Sequence, residues 1–352
     1  MTPHLLGMLV AIVLLIRVGQ TFLLAGVVRS KNAADVGMRC VLDLAVAVLA
    51  VWAFAGPFFP RPVVGGATLP LIAWRQLFGN DAEKVLFAIL PLVLIATGAL
   101  HGATAERTRL GPVLVLTGVL AAVAMPIVPW FFVSVFSNPS RVQTGLIAAT
   151  IGGGAAAYVM AAVSGARKGK FNRDLSVNFV PGHSVPMQVG GLLLLATGWA
   201  AATPNALHTL LGFAASLLTA ALFARWKFGK IDVGLLMTSG VGGLAAGGLA
   251  AVEFQTGYSP LAHFGGDSGI LSVLAGAIAG LAVPLAVIWV ETRLRTDDVA
   301  GFSAAYVVGG TVGMSVAMLS RSADVGTYFR GIGVAAGAWV LSVLLCSGAA
   351  YL

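Results

Sequence analysis

The chain has 352 residues, 58% of them hydrophobic and only 10% charged, with a mean hydropathy of +0.95. That balance excludes a soluble multi-domain protein, because too few polar side chains exist to cover a globular surface in water. The net charge of +8 does not indicate a nucleic-acid partner either, since the basic residues are spread loop by loop rather than gathered in one patch.

Eleven long apolar segments follow one another: 5–27, 38–57, 85–104, 110–134, 143–164, 186–203, 206–225, 231–252, 269–290, 300–319 and 331–351. None alternates as a barrel strand would, and a hydrocarbon core of about 30 Å takes about 20 apolar residues of helix per crossing. The predicted fold is an all-α polytopic bundle of eleven transmembrane helices, a single membrane domain over residues 1–352. The first segment lacks a basic leader and runs straight into Arg29-Ser30-Lys31, as a retained helix does.

An odd number of crossings puts the termini on opposite sides. With the amino terminus outside, the cytoplasmic loops carry Arg29, Lys31, Arg39, Arg107, Arg109, Arg167, Lys168, Lys170, Arg173, Arg225, Lys227, Lys230, Arg293 and Arg295. The external loops then carry Arg61, Arg75, Lys84, Arg141, Arg321 and Arg330, a bias of 14 to 6. The expected placement is therefore a plasma or inner membrane, amino terminus outside and carboxyl terminus cytoplasmic.

Arg17 lies 12 residues before Arg29, roughly 18 Å deeper along the first helix. An arginine near the bilayer middle costs about 2.5–3.5 kcal/mol on insertion scales and faces a partner, a cavity or a path. Asp43 on the second segment is a candidate partner, although it should sit nearer the cytoplasmic face; a shifted helix that lets Arg17 snorkel is the alternative. Facing a path, its fixed charge would oppose a cation. The two cysteines, Cys40 and Cys346, provide no disulfide framework or metal site.

Two connections are long. Gly56–Glu83, with Pro57, Pro60, Pro62 and Pro70, reads as an external lid or vestibule wall, and Ser164–Ser184 carries Arg167, Lys168, Lys170 and Arg173. The second divides the chain into residues 1–163, a first five-helix half; 164–185, a cytoplasmic connection; 186–320, a second five-helix half; and 321–352, a terminal helix. An odd-numbered first half inverts the second, the layout of an inverted repeat. Gly243-xxx-Gly247, Gly276-xxx-Gly280 and Gly309-xxx-Gly313 put small residues on one helix face, where helices in lipid approach closely; a glycine-lined path is the other reading.

Several motifs carry a resemblance. Ala25-Gly26-Val27-Val28-Arg29-Ser30-Lys31-Asn32 closes the first segment and Gly102-Ala103-Thr104-Ala105-Glu106-Arg107-Thr108-Arg109 the third. Gly198-Trp199, Ser239-Gly240 and Asp297-Asp298-Val299-Ala300-Gly301 follow in the sixth, eighth and before the tenth. In this order, over about 300 residues, the chain resembles the ammonium transporter/Rhesus superfamily. That resemblance implies a homotrimer of eleven-helix protomers, each with a narrow pore between its halves that conducts ammonia or ammonium. Locally, Arg107 at a helix end offsets the macrodipole, Glu106 clamps a loop, and Asp297 and Asp298 cap the tenth helix.

The family's pore chemistry is missing here. Its members carry two histidines, on the fifth and tenth helices, whose imidazoles handle the proton that ammonium releases. The corresponding positions fall at about Ile147 and at Tyr306, and His4, His101, His183, His208 and His263 lie elsewhere. The family's aromatic gate, which draws cations by cation–π attraction, falls at about Ala88, Leu92 and Ala202, with Phe87 beside it, and its external tryptophan at Phe132, Trp130 being near. Its fifth-helix aspartate falls at Pro139.

A transporter of ammonia or another small neutral solute through a hydrophobic pore is the leading reading. The alternative is a non-conducting relative serving as sensor, scaffold or subunit of a larger membrane complex, with a membrane or cytoplasmic regulatory partner. A membrane enzyme built on Ser239, His208 and Asp267 lacks a strand–turn–helix setting, and haem ligation by His101 and His208 would need them on the same membrane side. No enzyme activity, cofactor or metal is expected, and the lipid bilayer is an expected partner.

Overall fold

In the computed structural model, residues 8, 10–55, 82–135, 141–167, 170–171, 183–250, 268–319 and 325–351 are described. They form eleven helical crossings and their connections. Helix α1 spans Val10–Val27; α2 spans Ala33–Ala50 and continues into a π turn, Val51–Ala55; α3 spans Ala82–Thr104. Helix α4 covers 110–135 with a π turn at Leu120–Ala124, and α5 covers 141–164 with one at Ala148–Gly152. Then come α6 Val185–Ala202, α7 Ala206–Phe228, α8 Val233–Ala250, α9 Ser268–Thr292, α10 Phe302–Leu319 and α11 Val325–Tyr351.

Nine of these helices are long and apolar enough to cross a membrane, and Phe302–Met318 and Ala336–Tyr351 are shorter apolar helices. The expected segments agree with them to within a few residues. Helices α2 and α11 start five and six residues earlier than hydropathy alone places them. At the α2 start the reason is local: Asp35 and Arg39, one turn apart, form an ion pair of 2.8 Å that carries the helix beyond its apolar stretch. The external stretch 56–81, which contains most of the expected lid, lies outside the described residues.

Helix ends follow ordinary chemistry. The Met187 amide donates to the Ser184 hydroxyl at the start of α6, and the Leu235 amide donates to the Asp232 carboxylate at the start of α8. Gly229, at φ 72°, ends α7 in the left-handed region, with Arg225 and Lys227 in its last turn.

Packing is set by glycine. A Cβ on Gly191 would fall 2.2 Å from the Leu23 amide nitrogen, and one on Gly19 2.2 Å from that of Leu195. Only glycine permits α1 and α6 to lie backbone to backbone. The six glycines of the expected packing motifs behave alike: a Cβ on Gly243, Gly247, Gly276, Gly280, Gly309 or Gly313 would meet a neighbouring helix at 2.9 Å or less. They serve close packing of α7 with α8, α7 with α9, and α8 with α10. Large apolar side chains on α7, Leu218, Leu222 and Trp226 among them, point outward, the arrangement lipid requires.

Candidate functional site

Two polar assemblies stand out in this apolar bundle. The first lies among α1, α2, α3 and α4. Arg17 and Asp43 are 2% and 0% exposed and form an ion pair. The Arg17 guanidinium also donates to the Thr97 hydroxyl. Thr97 donates to Asp43 at 3.1 Å, Thr117 donates to the other carboxylate oxygen, and the His101 ring nitrogen stands 3.3 Å from it. Arg17 therefore does not snorkel: a buried partner offsets its charge, and Asp43 is deep enough to be that partner.

Gln20, three residues after Arg17 and so on the same helix face, donates from its amide nitrogen to the Leu94 carbonyl at 3.0 Å. Its side chain lies over Gly98, where a Cβ would fall 1.8 Å from that nitrogen. Against it lies Tyr306 of α10. The Tyr306 ring is wholly buried, with centroids 5.6 Å from Trp199 and 6.0 Å from Phe302. Phe302 in turn fills the space over Gly102. Three aromatic rings from α6 and α10 thus occupy the middle of the bundle beside the Arg17 cluster.

Ile147 is also wholly buried. The backbone of α5 meets Tyr306 at Gly154, where a Cβ would fall 2.9 Å from the tyrosine Cβ, and Gly310 meets Thr150 one turn along. Helices α5 and α10 therefore run antiparallel. Ile147 sits seven residues before Gly154, about 10 Å along the helix axis, so the two positions taken as equivalent to the family's imidazoles lie at different depths. Leu92 is buried and touches the Gly145 position, while Ala88 and Ala202 are partly buried. The backbones of Trp130 and Phe132 belong to α4; their side chains lie outside the described residues.

The second assembly joins the helix ends on one side of the bundle. Glu106, at φ 69° in the left-handed region, accepts hydrogen bonds from the Arg29 amide at 2.9 Å, the Arg29 side chain at 3.2 Å and Asn32 at 2.8 Å. Arg167 donates to Glu106 at 3.2 Å and forks onto Asp297 at 2.9 and 3.0 Å. Lys170 pairs with Glu291 at 2.5 Å and with Asp297 at 3.0 Å. Arg107 donates to the carbonyls of Ala103, Gly165 and Asp297.

Burial raises the Glu106 carboxyl, but its donors, led by the Arg29 amide, outweigh this and hold it down to about 2. Asp297 is raised by burial and then drawn down to about 2 by Arg167 and Lys170. Asp298 is raised by burial despite its donors from Ser303 and Phe302. The expected pair of caps therefore divides its labour. Asp298 caps α10, accepting from the amides of Phe302 at 3.2 Å and Ser303 at 2.7 Å. Asp297 instead receives the segment between α5 and α6 through Arg167.

Gln20, Phe302 and Arg167 take part in these assemblies, and the sequence alone leaves them unassigned. A signal existed for Gln20, an amide in an apolar helix one turn from a buried arginine. Among the described residues no group of three or more His, Cys, Asp and Glu stands close enough to hold a metal ion.

Residues 5–346 match the sequence model of the Ammonium Transporter Family. An ammonium transporter of Haloferax mediterranei is 30% identical over 334 residues, covering 84% of this chain and 69% of that protein. One of Archaeoglobus fulgidus is 28% identical over an aligned length of 357, covering 90% and 71%. Among solved structures, a sensor Amt protein superposes with a TM-score of 0.80 at 22% identity, over 98% of this chain and 90% of that one. The Rhesus channel Rh50 of Nitrosomonas europaea gives 0.69 at 16% identity, over 99% and 86%. At these identities the structural likeness concerns the fold.

Proposed function

We propose, from the premise that this chain belongs to the ammonium transporter family, that it passes ammonia or another small neutral solute along the seam between two inverted halves. The observation that carries the reading is Tyr306, buried between Trp199 and Phe302 where the resemblance places an imidazole. A phenol, unlike an imidazole, offers no base at neutral pH to take the proton that ammonium gives up. A cation held among such rings would be far from water without a counter-charge, so the uncharged base is the species that crosses.

The two halves, residues 1–163 and 186–320, with 164–185 between them and 321–352 as a terminal helix, find support in the helix pairs. Helix α1 lies antiparallel to α6 and α5 antiparallel to α10, the partners that a pseudo-twofold axis between inverted five-helix units brings together. The outward amino terminus follows from the loop charges, and a homotrimer from the resemblance.

The test is flux. Proteoliposomes holding a pH-sensitive dye should alkalinise faster than protein-free vesicles when ammonium chloride is added outside; equal rates overturn the reading. A second reading, a non-conducting sensor, scaffold or subunit, is favoured by one observation: Tyr306 and Ile147 are both 0% exposed, so the middle is closed at those side chains. It expects flux equal to that of bare lipid and a stoichiometric partner on purification.

A further inference from the structure

The sequence spreads its basic residues over several loops, but the fold gathers Arg225, Lys227, Lys230, Arg293 and Arg295 at one corner of the bundle. A Cβ on Gly276 would run into the Gly212 carbonyl, and one on Gly280 into that of Ser216. Helices α7 and α9 therefore lie parallel and in step, and they end at Phe228 and Thr292 on the same side. Each carries an outward row of side chains one turn apart. On α7 the row runs through Leu222 to Trp226, with Lys230 just past the helix end. On α9 it runs through Leu285 to Trp289, with Arg293 just past the end, and every one of these side chains is exposed. Leucine, then tryptophan, then a cation is the order met by a helix that leaves hydrocarbon, crosses the headgroup level and enters water.

The aromatic level is built as a group: the Phe223 ring centroid lies 6.4 Å from that of Trp226 and 6.3 Å from that of Phe228. Arg225, Lys227 and Arg295 are exposed beside the two rows. The carboxylates at this end are turned to other donors. Asp232 accepts from the Leu235 amide, Glu291 is held by Lys170, Asp297 by Arg167, and Asp298 caps α10. Among the described residues no carboxylate pairs with any of the five cations of this corner.

We propose that the paired ends of α7 and α9 bind an anionic phospholipid. Lys230, Arg293 and the cations beside them hold its phosphate, Trp226 and Trp289 flank its glycerol esters, and its acyl chains lie along the rows at Leu222 and Leu285. The combination selects the occupant: the cations call for an anion, and the leucine rows call for a chain that a soluble anion lacks. A zwitterionic lipid brings its own ammonium group against the same positive side chains. The site does not depend on whether the chain conducts.

The purified protein, stripped of lipid in a neutral detergent, is titrated with phosphatidylglycerol and with phosphatidylcholine of the same chain length, and bound lipids are counted by mass spectrometry of the intact protein. Each basic side chain beside an anionic lipid is worth about fivefold in binding, so phosphatidylglycerol should bind about tenfold more tightly or better. That preference should be lost in Lys230→Gln/Arg293→Gln and kept in Lys31→Gln/Arg109→Gln, which removes two exposed cations near the ends of α1 and α4 instead. All four positions are at the surface, and a size-exclusion profile matching the wild type's verifies folding. Equal binding of the two lipids overturns the site, as does a preference kept or lost alike in both variants. Glycerol 1-phosphate supplies the headgroup charge without chains, and binding as tight as that of phosphatidylglycerol overturns the lipid as occupant. A Leu222→Cys variant that cross-links to a second copy in the membrane would show the α7 row covered by protein, which also overturns it.

Discussion

Arg17 and Asp43, from the interiors of two successive membrane helices, form an ion pair closed off from solvent and lipid alike. Breaking a buried pair by removing one partner costs about 3–5 kcal/mol, because the other charge stays behind, whereas replacing both with neutral groups is often harmless. Arg17→Met alone should therefore lower the melting temperature in detergent sharply, and adding Asp43→Asn should restore most of it. A double variant as unstable as the single one would contradict this account.

Glu106 is the hub of the second assembly, holding the ends of α1 and α3 and the segment between α5 and α6. Glu106→Gln keeps the shape and removes the charge that four donor groups share. The expected cost is about 2–3 kcal/mol, the worth of a charged hydrogen bond. Equilibrium unfolding in detergent micelles measures it, and a change within experimental error would show the hub to be dispensable.

The same assembly makes a pH prediction. Glu106 and Asp297 are held at about 2, below their ordinary values of 4.5 and 3.8. Groups with depressed values contribute stability that is fully present above the unfolded pKa and is lost as pH falls through the folded one. The melting temperature should therefore decline between about pH 5 and pH 2. Asp298, raised by burial, acts in the opposite direction, so the slope is assigned by repeating the titration in Glu106→Gln and Asp297→Asn, each of which should flatten it.

Gly191 and Gly190 are neighbours with opposite expected tolerance. A Cβ at Gly191 would strike the α1 backbone at 2.2 Å, and a Cβ at Gly190 meets nothing within 4 Å. Gly191→Val should abolish recovery of folded protein after solubilisation. Gly190→Val should change stability by no more than about 0.5 kcal/mol. Size-exclusion profiles of the two variants decide the matter, and matching profiles would refute the close approach of α1 and α6.

The eleven crossings were legible in the sequence because each must carry its own stretch of apolar residues to satisfy lipid, a demand met locally and visible one segment at a time. The glycine motifs were legible for a related reason: spacing on one helix reveals a small-residue face. The Glu106 clamp was legible as a clamp, while its partners were not. Arg167 and Asp297, which join across 130 positions of chain, look in sequence like a basic loop residue and a helix cap.

What only the tertiary structure decided is who faces whom. Residue type and spacing place a side chain on a helix face, but its partner depends on the rotation, tilt and depth of a second helix. That is why Gly154 rather than Ile147 meets Tyr306. For the same reason Gln20, unassigned in the sequence, stands beside the one buried arginine of the described residues. The chain by itself determined a membrane bundle; the packing of α1, α3, α6 and α10 determined which side chains fill its middle. Apolar burial in lipid is a property of single segments, and polar complementarity is a property of pairs.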